Sequence, residues 1–254
     1  MTNNFLDFVD DAHFLKAVEY VQVATKAASE QFSLKYTVGQ FTESAIDPFK
    51  MLFDLYDIRD SKETWITAEI ERQLDKTLNN KIGEFHQMLL GGVKGWSDLG
   101  VGHDSEVDLA KDDLSVFIEL KNKYNTMNSS ATEKCRDKLM AILETHSSAK
   151  AYWCYIVPSS PTSGESQWTY DRGKKLYHRN LYKAWGDKVY EIVTGRSGNL
   201  IKTWKALNSI LEQKDAYQAI KVDRNKIVKK CTERVIAELG DNNTLEYFYK
   251  ITFG

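Results

Sequence analysis

The stretch VDLAKDDLSVFIELKNK, residues 107–123, constrains this chain more than any other. Its Val, Phe, Ile and Leu content suits an interior strand, yet it carries Asp108, Asp112, Asp113, Glu119 and Lys121. Charge beside Val116, Phe117 and Ile118 is costly unless it is paired or holds a cation. Alternation sorts the conflict: Val116, Ile118 and Leu120 point to one face, and Phe117, Glu119 and Lys121 to the other. Upstream, Asp108 and Ala110 share a face in the same way. With KDDL as the turn, a two-residue loop at Asp112-Asp113 or a four-residue loop over 111–114 sets Ala110 opposite Ser115 and Asp108 opposite Phe117. Asp108 then lies diagonal to Glu119, and Lys121 follows on that face. A three-residue turn would break the arrangement.

Two carboxylates and an ammonium on one face suit a divalent-metal hydrolytic site. Mg²⁺ takes oxygen ligands, usually a couple of carboxylates completed by water and substrate phosphate. A lysine beside it can orient a water and stabilise developing negative charge. The triplet alone is weak evidence, since Asp60-Ser-Lys62 and Glu212-Gln-Lys214 have the same form. Only Glu119-Leu-Lys121 ends an apolar strand with an acid in phase on the strand before it. The competing reading is an edge strand with a solvated face and a structural Lys–Glu pair.

The rest of the chain sets the context. At 254 residues it can build one large domain or two small ones with a substantial core. The N-terminal MTNNFLDFVDDAHF lacks the basic start and long apolar run of a signal peptide, and no stretch is apolar enough to span a membrane. Cys135, Cys154 and Cys231 are odd in number and scattered without ligand spacing, which points to a reducing cytoplasm and away from structural zinc.

The overall charge of −2 hides an asymmetry. Residues 1–120 hold 11 Lys and Arg against 22 Asp and Glu; residues 121–254 hold 23 against 14. A basic C-terminal half beside an acid-rich half suits a polyanion-binding face next to a carboxylate site.

A helix is expected over residues 3–31 and a short one from Asp47-Pro48 to about Tyr56. A longer helix runs from an N-cap at Thr67 to Gly91-Gly92. Ser130-Ala-Thr-Glu133 reads as a capping box opening a helix to about His146. AYWCYIV, 151–157, is a buried-strand candidate, PSSPTSGESQ a loop, and KVYEIVT, 188–194, strand or helix before Gly195. Ser197 is expected to cap the next helix. A basic helix covers about 216–239, and TLEYFYKITF is a final strand candidate. Helices around a few strands make a mixed α/β class. One nuclease domain is expected, with an N-terminal helical part (1–65), a catalytic core (66–160) and a basic part for DNA recognition (161–254).

Asp108…Glu119-Leu-Lys121 resembles the PD-(D/E)XK nuclease motif, which lies on a β-hairpin of a mixed sheet. ELKNKYNTMNSS and VYEIVTG are similar to segments of type II restriction endonucleases that cut GGNCC- or GGWCC-type sites, the resemblance covering roughly residues 80–205. The motif's proline is replaced by Val107. The resemblance implies a restriction-endonuclease-like core with additional N- and C-terminal helices. It implies a Mg²⁺-dependent endonuclease of double-stranded DNA, leaving 5′-phosphate and 3′-hydroxyl ends. Asp108 and Glu119 would hold the metal with the Leu120 carbonyl, Lys121 would orient the attacking water, and Glu84, in KIGEFHQ, would support the metal site. Asp104 or Glu106 is a further ligand candidate. Such enzymes generally act as homodimers on two-fold sites, in the prokaryotic cytoplasm beside a cognate DNA methyltransferase.

DNA-contact candidates are Asn122, Lys123, Tyr124, Asn125 and Asn128 after the strand, and Arg172, Lys174, Lys175, Arg179 and Arg196 in the most basic segment. Most would meet phosphate rather than bases. A repair or junction nuclease and a non-catalytic DNA-binding protein remain as other readings.

Overall fold

The computed structural model describes residues 3–44, 46–58, 61–100, 107–171, 175–212, 223–240 and 244–254. In chain order the elements are α1 (Asp11–Lys35), α2 (Val38–Thr42), α3 (Pro48–Phe53) with a π-helical turn at Asp54–Ile58, α4 (Lys62–Gly91), β1 (Trp96–Asp98), β2 (Leu109–Lys111), β3 (Val116–Lys123), α5 (Ser129–Thr145), β4 (Lys150–Val157), β5 (Gly164–Asp171), β6 (Lys175–Trp185), α6 (Asp187–Thr194), α7 (Asn199–Glu212), α8 (Arg224–Leu239) and α9 (Thr244–Phe253). They form two compact units, Met1–Val21 with Ile82–Ala216, and Gln22–Lys81 with Tyr217–Gly254. Among the described residues no helix is long and apolar enough to cross a membrane.

The first unit is built on a six-stranded mixed sheet in the order β1-β2-β3-β4-β6-β5. β1, β2 and β3 are antiparallel, β3-β4 and β4-β6 parallel, and β6-β5 antiparallel. The link from β3 to its parallel neighbour β4 runs through α5, since parallel strands need a long crossover. Strand β3 is interior: Phe117, Ile118 and Leu120 are buried, and so is Glu119. Phe117 and Ala110 meet Cys135, Leu139 and Ile142 of α5, with Ala151 and Leu181 in the same core. Helix α5 therefore covers the Phe117–Glu119 face.

The second unit is helical. Phe41, fully buried, meets the rings of Tyr36, Trp65 and Phe248 at centroid distances of 6.3, 6.0 and 5.6 Å. Ile66, Ile70, Val228 and Val235 complete this core.

Several boundaries depart from the sequence reading. Helix α4 starts at Lys62, where the Ser61 hydroxyl accepts from the Thr64 amide at 3.1 Å. Thr67 lies inside the helix, its hydroxyl 3.2 Å from that of Thr232. The extra turn buries Trp65 and Ile66. The cap of α5 is Asn128, accepting from Ala131 N–H at 2.9 Å, in place of Ser130. Helix α7 is not capped by Ser197: the Asp187 carboxylate accepts from Gly198 and Leu200 N–H. Gly164 already opens β5 within the expected loop. KVYEIVT falls in helix α6, ended by Gly195 in the left-handed region at φ 74°. TLEYFYKITF is helix α9 rather than a strand; one face buries Phe248, and Glu246 pairs with Lys250 one turn on at 2.8 Å.

Candidate active site

The β2-β3 hairpin forms, with a turn one residue later than expected. Leu109 pairs with Ile118 and Ala110 with Phe117, so the turn occupies residues 112–115. Asp113 stabilises it by accepting from the Ser115 hydroxyl and, at 3.0 Å, from the Ser115 amide; the hydroxyl, Lys111 and the amide, in that order, hold its carboxyl down at about 2. Leu114 adopts φ 56°, a left-handed conformation unusual for leucine. The register differs from the expected one by two residues, and an even shift leaves each side chain on its face. Asp108 thus stays with Glu119 and Lys121, but alongside Glu119 instead of diagonal to it.

Asp108 lies just before β2, and its amide donates to the Ile118 carbonyl at 3.1 Å. Its Oδ2 accepts from Leu120 N–H at 2.6 Å, where the side chain continues the ladder beyond the paired residues. Lys121 Nζ donates to Glu119 Oε1 at 2.6 Å and lies 3.8 Å from Asp108 Oδ2. One ammonium is thereby shared by two carboxylates. Burial pushes the Asp108 carboxyl above the usual range, reinforced by the Glu119 charge and only partly offset by Lys121. Burial works against the Lys121 charge, but Asp108 and Glu119 outweigh it and raise its pKa. Lys121 is accordingly a firm ammonium, a donor rather than a base.

A fourth charged group was not anticipated. Lys138 of α5 donates to Glu119 Oε2 at 2.6 Å. Its signal in the sequence is faint: a lysine inside the apolar stripe Cys135–Leu139–Ile142. Gln87, also unanticipated, reaches Asp98 Oδ1 at 2.8 Å and the Asp108 carbonyl at 3.5 Å. Glu84, one turn before Gln87, accepts from the Tyr20 hydroxyl. A Cβ placed on neighbouring Gly83 would lie 3.7 Å from Asn122 Cβ, so this turn of α4 runs alongside the end of β3.

The parallel ladder extends the Glu119–Lys121 face. Glu119 lies beside Trp153 and Lys121 beside Tyr155, which in turn lies beside Trp185. The Tyr155 and Trp185 rings stack 6.1 Å apart at 9°.

The remaining candidates are dispersed. Lys123, Tyr124 and Asn125 are exposed at the end of β3, and Asn122 is half-buried. The Asn128 amide oxygen is committed to the α5 cap. Arg179 is exposed on β6, and Arg196 is exposed 3.8 Å from Asp7. Lys175 opens β6. Asp104, Glu106, Arg172 and Lys174 lie outside the described residues.

The donors fit a hard, oxygen-seeking cation. Among the described residues no three His, Cys, Asp or Glu side chains converge, so Glu84 does not form a three-carboxylate cluster with Asp108 and Glu119. Mg²⁺ does not need one, because it commonly takes one or two carboxylates and keeps several waters. The ammonium held between Asp108 and Glu119 marks a position where positive charge is favoured.

Comparison with known proteins identifies the family. The family model for Eco47II restriction endonuclease matches residues 6–214. The chain is 32% identical over 204 residues to the type II restriction enzyme Sau96I of Staphylococcus aureus, covering 77% of this chain and 75% of that protein. It is 33% identical over 217 residues to the type II restriction enzyme Eco47II of Escherichia coli, covering 82% and 87%. A family-model match spanning most of the chain, with two relatives more than 30% identical, places this protein in the Eco47II restriction endonuclease family, as a type II site-specific deoxyribonuclease.

Proposed function

We propose that this enzyme hydrolyses phosphodiester bonds of double-stranded DNA with Mg²⁺, using Asp108, Glu119 and the Leu120 carbonyl as metal ligands. The observation that carries this reading is Lys121 Nζ shared between Glu119 Oε1 at 2.6 Å and Asp108 Oδ2 at 3.8 Å. Leu120 donates its N–H to Asp108. In an antiparallel ladder the N–H and C=O of a residue face the same neighbour, which supports its carbonyl as a ligand on the Asp108 side. Bound Mg²⁺ supplies Lewis acidity and lowers the pKa of a coordinated water.

Lys121, as an ammonium, orients the attacking water through Nζ–H and stabilises charge developing on the phosphate oxygens. Water adds to phosphorus as the bond to the 3′ oxygen breaks, leaving a 5′-phosphate and a 3′-hydroxyl. Glu84 supports the metal site from α4, and its neighbour Gln87 fixes the Asp108 backbone.

The substrate is a GGNCC- or GGWCC-type duplex site, by resemblance of the ELKNKYNTMNSS segment. The enzyme acts as a homodimer, because the described residues of one chain hold one such hairpin and a two-fold duplex site presents two scissile strands. A cognate methyltransferase protects host DNA in the same prokaryotic cytoplasm. Asn122, Lys123, Tyr124, Asn125, Asn128, Arg172, Lys174, Lys175, Arg179 and Arg196 line the DNA, mostly at phosphates.

The test is digestion of plasmid DNA with Mg²⁺, followed by sequencing of fragment ends. Discrete fragments sharing one terminal sequence are expected, and Asp108→Ala and Lys121→Ala should each abolish them. Unchanged cutting by both variants overturns the assignment of the site.

A further inference from the structure

We propose that Lys138 is a positioning residue that fixes Glu119 through Oε2, leaving Oε1 as the oxygen exchanged between Lys121 and a divalent cation. The inference rests on the metal-site reading above. Both Glu119 oxygens are held at 2.6 Å, each by a different lysine, in a side chain only 8% exposed.

The two lysines are not equivalent. Lys121 sits two residues along the same strand and is divided between Glu119 and Asp108. Lys121 would yield this position to a divalent cation held by both carboxylates, which would leave its ammonium free to meet the reacting water. Lys138 comes instead from α5, whose Cys135, Leu139 and Ile142 are buried in the core beneath the sheet. Its attachment is set by helix-on-sheet packing, so it persists when Lys121 leaves. Among the described residues the paired charges of this crowded, mostly buried cluster are two carboxylates and two ammonium groups. Partners that orient a metal ligand commonly alter affinity by about 10–100-fold when removed.

The opposite electrostatic expectation makes the idea testable. If Lys138 merely repelled cations, its removal would tighten metal binding. If it positions Glu119, its removal loosens binding. Mn²⁺ is the probe, since it is oxygen-seeking like Mg²⁺ and its binding to the full-length chain without DNA is read by electron paramagnetic resonance. Lys138→Met should weaken Mn²⁺ binding about 10-fold, and Lys138→Arg should restore most of it. Metal-free melting temperatures serve as the folding control. Should Lys138→Met not fold, Lys138→Ala, which removes both donor and charge, takes its place with the same expectation. Mn²⁺ affinity unchanged or increased in the neutral variant overturns the role of Lys138. Loss of Mn²⁺ affinity that Lys138→Arg does not restore overturns it as well. Asp108→Ala and Glu119→Gln are measured in parallel: if neither reduces Mn²⁺ binding, the metal-site reading itself fails, independently of Lys138.

Discussion

The Leu120 amide and the Asp108 carboxylate are joined at 2.6 Å, a side chain taking the place of the next backbone partner in the β2-β3 ladder. The hairpin's pairing and the site's geometry are therefore one structure. Asp108→Asn keeps an acceptor for Leu120 and removes the charge. It should retain the fold and lose cleavage by at least about 100-fold, as for a metal ligand rather than a strand-end cap. Comparing circular dichroism with plasmid cutting separates the two effects.

Glu84 and Tyr20 make a second test. The Tyr20 hydroxyl donates to Glu84, so Tyr20→Phe should remove this hydrogen bond and lower cleavage less than Glu84→Gln does. Single-turnover rates at saturating Mg²⁺ check this order. Equal wild-type rates in both variants would remove Glu84 from the site.

His86 gives the first unit a pH dependence. Burial lowers its pKa to about 4, and its ring nitrogen meets the Tyr190 hydroxyl at 2.8 Å. The folded state thus disfavours protonation. Stability contributed by neutral His86 is complete above the unfolded value near 6.5 and is lost as pH falls toward 4. The loss should be roughly 2–3 kcal/mol. Urea unfolding between pH 7 and 4 measures it, and His86→Leu should flatten the slope.

Gly91 permits a backbone approach. A Cβ there would stand 2.5 Å from Asp98 Cβ and 2.8 Å from the Asp98 amide nitrogen. Backbone cannot retreat as a flexible side chain can. Gly91→Ala should displace β1 and weaken the Gln87–Asp98 contact, costing on the order of 1–3 kcal/mol. Thermal melting of the purified variant is the check.

In the second unit, Phe41→Ala should cost about 3–5 kcal/mol, because Tyr36, Trp65 and Phe248 all face the cavity it would leave. Chemical denaturation monitored by far-ultraviolet circular dichroism reads the change.

What could be read from the sequence was local and periodic. Glu119 and Lys121 share a face because strand side chains repeat every two residues, and a register error of two could not disturb that. The mixed α/β class followed from the same patterns. TLEYFYKITF misled because its Tyr, Phe, Ile and Thr content favours strands. Burial of Phe248 against Phe41 and Trp65, distant in sequence, decided for helix. Strands β5 and β6 were missed because no apolar run announces them and their pairing, with each other and with β4, is set by the sheet. Lys138 was missed for a related reason: its partner is on another element, and only packing of α5 on the sheet brings Glu119 within reach.

The four charged groups of the cluster, Asp108, Glu119, Lys121 and Lys138, all arise from one unbroken hairpin-and-helix segment. The residues proposed to contact DNA run from Asn122 to Arg196, and five of the ten, Arg172, Lys174, Lys175, Arg179 and Arg196, follow that segment. Inheritance can then treat the two jobs differently. Substitutions or recombination after α5 would alter half of the proposed DNA contacts while the chemical centre passes on intact, so that half of the contact set can vary without an inactive intermediate.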